Sequence, residues 1–106
     1  MMCGARKREM PTFIYVLKPK RASLIDDASA EEERRLGDHF EYLQRALEQG
    51  MLILAGPCLD GEFGVVVFRA TSERAAVEFM ERDPAVKHEL MTAELFPFRV
   101  SLMGTG

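Results

Sequence analysis

The chain has 106 residues, 47% of them hydrophobic and 29% charged, with a formal net charge of −3. That is the composition of one soluble globular domain with a modest core; it excludes a disordered chain, and the acidic balance provides no basic face for nucleic acid. The only dense basic run, Arg6-Lys7-Arg8, is too short to carry such binding.

Residues 1–11 are expected to form a flexible tail and residues 12–103 the domain. No apolar run approaches the roughly 18 residues of a membrane span, and the charged opening stretch has no apolar segment behind it, so it does not read as a secretory signal. Cys3 and Cys58 form no CxxC pair, and His39 and His88 lack metal-ligand spacing. No disulfide framework, metal or cofactor is therefore expected, and a reducing cytoplasm is the expected setting.

In chain order, Thr12–Pro19 is rich in aromatic and β-branched residues and predicts a strand, followed by a polar loop. Ser29 with Glu32 three residues on is a capping box, with Glu31 and Glu33 also in the first turn; the helix runs to about Gln49 and stops at Gly50. Residues 51–58 predict a second strand, Asp60-Gly61 a hairpin and residues 63–70 a third strand. Thr71 or Ser72 caps a second helix that breaks at Asp83-Pro84, a short helical turn follows, and residues 92–102 predict the fourth strand. Pro97 places that strand at an edge or a bulge. The order βαββαβ fits an α+β, ferredoxin-like fold, a four-stranded antiparallel sheet with two helices on one face.

A sheet covered on one face should alternate apolar and polar residues, but "VVVF" at 65–68 is apolar on both faces, and "FIYVL" and "LFPF" nearly so. A second copy packed against the uncovered face would bury it, so a homodimer through the sheet faces is expected.

On the first helix Leu36, Phe40, Leu43 and Leu47 form an apolar stripe, with His39 at its edge. A histidine there is either a packed structural residue or a group for proton transfer. On the second helix Ala76, Phe79 and Met80 point inward and Asp83 ends the stripe. A carboxylate there is costly unless paired, and the helix dipole disfavours it. Asp83 can cap the turn that Pro84 opens, or pair with His39 across the layer that both helices cover. A carboxylate on one ring nitrogen fixes the tautomer and leaves the other nitrogen as a base.

The stretch from His39 through "YLQRALEQGMLILAGP", the hairpin, and the helix ending in Asp83-Pro84 resembles the YCII-related (YciI-like) family over roughly residues 12–100. The resemblance implies a dimeric α/β barrel, a His39–Asp83 catalytic pair, and an "AGP" turn at Ala55, Gly56 and Pro57. It further implies cofactor-free lyase, dehydrochlorinase or isomerase chemistry on a small organic substrate, phenolic or cyclic. The alternative is a non-catalytic dimeric small-molecule-binding or accessory module in which the pair is structural. A third reading is a cofactor-free monooxygenase or isomerase of the wider dimeric α/β barrel group that uses other residues. Two departures stand out: Ala85 replaces a bulky residue, and Lys87-His88-Glu89 stands where a glycine is often found, which implies a reshaped, more charged rim. Tyr15, Gly56, Pro57, Cys58, Pro84 and His88 complete the expected substrate contacts, although Tyr15 also fits the core, His88 an exposed turn and Cys58 a buried thiol.

Overall fold

The computed structural model describes residues 10–24 and 26–104. The expected N-terminal tail lies outside them apart from Met10 and Pro11. Seven elements follow in order: β1 (Thr12–Pro19), α1 (Ala30–Glu48), β2 (Leu52–Pro57), β3 (Gly64–Arg69), α2 (Glu73–Arg82), α3 (Pro84–Lys87) and β4 (Met91–Phe98). The strands form one antiparallel sheet in the order β2-β3-β1-β4. This is the ferredoxin-like α+β arrangement: each helical crossover joins two strands that flank a third.

Local chemistry sets the ends of these elements. Ser29 and Glu32 bond reciprocally at the start of α1, at 3.1 and 2.9 Å. The Ser29 backbone N–H and then the Arg21 guanidinium hold the Glu32 carboxyl below the usual carboxylate range. At the other end Gly50, with φ of 80°, closes a Schellman motif in which Met51 donates to Ala46 and Gly50 to Leu47. Ser72, rather than Thr71, caps α2. The hairpin turns at Gly61, φ 81°, through a loop over Cys58–Phe63. β4 stops at Phe98, short of the expected 102, because its only partner among the described residues is β1, whose register with it runs out at Thr12. Pro97 accordingly lies on an edge strand, where its missing N–H is tolerated.

A second Schellman closure ends α3, with Glu89 donating to Val86 and Leu90 to Ala85. Its left-handed position is held by Glu89, φ 60°. A side chain there costs about 1–2 kcal/mol, more than the exposed Lys20–Glu89 pair at 3.3 Å returns. Glu89→Gly is expected to raise stability by about 1 kcal/mol in urea denaturation.

The core lies between sheet and helices. Phe13, Tyr15 and Leu17 of β1 and Val66 and Phe68 of β3 meet Leu43 and Ala46 of α1 and Ala76 and Phe79 of α2. The apolar stripe of α1 is turned relative to the sequence expectation: Phe40 and Leu47 are 66% and 54% exposed. The inward line is instead His39, Tyr42, Leu43 and Ala46. Two polar residues can occupy it because their tips find partners, Tyr42 Oη on the Phe79 carbonyl at 2.7 Å and His39 on Asp83.

Among the described residues no layer covers the other sheet face. Ile14, Val16, Leu54, Val65, Val67, Phe96 and Phe98 share that face by register, and Leu54 and both phenylalanines are 41–50% exposed. Among the described residues no helix is long and apolar enough to cross a membrane.

Candidate active site

Asp83 is the last residue before Pro84, so its backbone ends α2 and opens α3 while its side chain turns inward. It is fully buried. Oδ1 accepts from the Ala85 N–H at 2.9 Å and lies 2.6 Å from His39 Nδ1; Oδ2 accepts from the Tyr15 hydroxyl at 2.7 Å. Both readings of Asp83 therefore hold together: the cap and the imidazole share one oxygen, and Tyr15 takes the other.

Three hydrogen bonds offset the cost of burying the carboxylate. Aromatic packing fixes the Tyr15 donor. The Tyr15 ring meets Phe68 edge-on at 5.6 Å, Phe68 and Phe79 lie 4.6 Å apart, and Tyr42 stacks on Phe79 at 5.0 Å. Burial, and then the Asp83 charge, pushes the Tyr15 hydroxyl well above the usual tyrosine range. The same two causes, in the same order, push Tyr42 up to about 12.

The sign of the pH dependence follows. An unfolded chain releases the Tyr15 proton near pH 10, whereas the folded protein retains it, so stability that is full below about pH 10 falls by about 1.4 kcal/mol per unit above it. Tyr15→Phe is expected to be less stable than wild type by about 1 kcal/mol near neutrality. In urea denaturation the gap should close as pH rises past about 10.

With a carboxylate on Nδ1, the neutral imidazole carries its proton there and leaves Nε2 as an acceptor. Nε2 has no partner among the described residues, and no buried polar side-chain atom among them is left without one, so Nε2 reaches open space. The His39 side chain is 17% exposed, and it stands in the wall of an open cleft of ≈ 810 Å³ between α1, β2 and the hairpin. Phe40, Leu47 and Phe63 form apolar walls and Gln44 adds an amide.

Gly56, Pro57 and Cys58 line this cleft, as the sequence suggests for substrate contacts. Tyr15, Pro84 and His88 do not. Tyr15 is sealed beneath the pair, where its hydroxyl holds Asp83. Pro84 belongs to the first turn of α3, and its role is to set the cap. His88 is exposed at the C-terminal cap of α3, away from the cleft, because the Schellman closure turns the chain outward there. Ala85 is fully buried and touches the site through its backbone, so it does not reshape a rim. Tyr15 takes the core position that the sequence also allowed, but its bond to Asp83 was not foreseen. The available signal was reciprocal: a hydroxyl in mid-strand needs an acceptor, and a buried carboxylate needs donors. Among the described residues no group of three or more His, Cys, Asp or Glu is placed to hold a metal ion.

The sequence profile of the YCII-related domain matches residues 12–99. The chain belongs to the YCII-related family. No curated protein matches it by sequence. Among solved structures it is similar to 5-chloro-2-hydroxyhydroquinone dehydrochlorinase from Burkholderia phenoliruptrix, in complex with 2,5-dihydroxybenzoquinone. That likeness has 19% identity, 83% of this chain and 93% of that chain covered, and a TM-score of 0.66. At this identity it establishes the fold that this YCII-related chain shares with the dehydrochlorinase.

Proposed function

We propose that the protein is a cofactor-free enzyme in which His39 is the general base and acid and Asp83 orients it. The observation that carries this reading is the His39 ring in the wall of an open apolar cleft, its Nε2 without a partner among the described residues, backed by a buried carboxylate with three donors. An accessory binding module needs no unpartnered nitrogen there. Nε2 takes a proton from a hydroxyl or an activated carbon of the substrate. The electron pair left behind either expels a leaving group such as chloride from a neighbouring carbon or moves a double bond. In the first case the imidazolium releases its proton to solvent, so that the acid HX is lost overall; in the second it returns the proton at another atom. Asp83 stabilises the imidazolium in both.

The substrate class is a small phenolic or cyclic compound, with a chlorinated hydroquinone as the first to test, because the dehydrochlorinase of the same fold was solved with a dihydroxyquinone. Gly56, Pro57 and Cys58 would contact it. The Cys58 thiol is free and suits a reducing cytoplasm. The reading includes a homodimer, since the uncovered face carries Leu54, Phe96 and Phe98; a monomer mass by light scattering at micromolar concentration would remove that part. The test of the chemistry is halide release from chlorinated hydroquinones and phenols. Release above the buffer rate supports the reading, and none across the panel overturns the lyase assignment.

A further inference from the structure

We infer that the cleft selects uncharged substrates and rejects their carboxylated or phosphorylated counterparts, an inference that rests on His39 being the group that meets the substrate.

Among the described residues that line the cleft there is no Lys, Arg, Asp or Glu; His39, Gln44 and Cys58 are the polar side chains. The His39–Asp83 pair offers an anion nothing in return. With the imidazole neutral the pair carries one negative charge, and with it protonated the pair is neutral. No lysine or arginine is bonded to Asp83 among the described residues to reverse that balance. A carboxylate or phosphate entering here gives up hydration worth several kcal/mol and finds no counterion. An uncharged ring gives up little and gains from burial against Phe40, Leu47 and Phe63.

The reaction itself escapes this penalty. When Nε2 takes a proton from a substrate O–H or C–H, negative charge arises on the substrate as positive charge arises on the ring beside it. Charge is therefore made as an ion pair beside the ring, and a halide that is expelled carries the negative charge out of the cleft. Gln44 is the residue that decides the preference at the wall. Its amide can bond a neutral hydroxyl or carbonyl oxygen, and a cation in its place would supply the missing counterion.

The test is calorimetric binding of 2-naphthol and 6-hydroxy-2-naphthoate, which differ by one carboxylate, to wild type and to Gln44→Lys. Wild type is expected to bind the naphthol at least ~10-fold more tightly, and Gln44→Lys to close or reverse the gap. Equal or tighter binding of the naphthoate by wild type overturns the inference, as does binding of neither. The base assignment fails separately. If His39→Gln keeps the preference and wild-type turnover is found to be independent of His39, charge selection stands while the catalytic reading falls.

Discussion

His39→Gln lowers kcat by about 10²- to 10⁴-fold, with KM nearly unchanged, in any reaction this site carries out. Glutamine is the informative replacement because its amide N–H can still donate to Asp83 Oδ1, so the buried carboxylate keeps a partner and the fold is spared. What disappears is the acceptor at Nε2, and with it the proton transfer. Halide release under single-turnover conditions, with near-ultraviolet circular dichroism to verify the fold, measures the effect. Unchanged turnover in a folded variant would remove His39 from the chemistry. The geometry has a spectroscopic counterpart. Long-range proton–nitrogen NMR of the neutral protein should find the His39 proton on Nδ1, where the carboxylate at 2.6 Å holds it. His88, exposed and outside the site, serves as internal reference.

Asp83→Ala is expected to cost about 3–5 kcal/mol of stability. The substitution strips the Tyr15 hydroxyl and the Ala85 N–H of their acceptor, both in the buried layer, and removes the N-cap of α3. For a domain of this size that is a large share of the total and lowers Tm by roughly 15 °C or more. A double-mutant cycle with Tyr15→Phe separates the parts. Because the orphaned hydroxyl accounts for much of the cost, the double variant should be more stable than the sum of the single changes predicts. Additivity in that cycle would mean that the 2.7 Å bond contributes nothing.

The features legible in the sequence are those whose cause is local. The Ser29–Glu32 box, the Gly50 stop and the Asp83-Pro84 break each depend on residues within a turn of one another, and each stands where the pattern put it. The order of elements followed from them, and so did the convergence of His39 and Asp83 on one layer. What was not legible depends on contacts between distant segments. The rotation of α1 that exposes Phe40 and Leu47 is set by where Tyr42 and His39 find acceptors on α2 and Asp83, which no periodicity within α1 encodes. Tyr15 reads as core or ligand contact until β1 is placed under the α2–α3 junction. The early end of β4 likewise belongs to the register of β1 rather than to β4's own apolar run.

One atom, Asp83 Oδ1, both caps α3 and holds the His39 ring. Sequence drift is therefore constrained unevenly across this protein. Change at Asp83 or Tyr15 loosens the scaffold before it can alter the reaction, whereas Phe40, Gln44, Leu47 and Phe63 lie outside the buried core cluster and can vary at little structural risk. If the proposed chemistry holds, new specificities in this lineage should arise at the mouth around a fixed His39–Asp83 pair. A library confined to those four positions is the economical place to look for them.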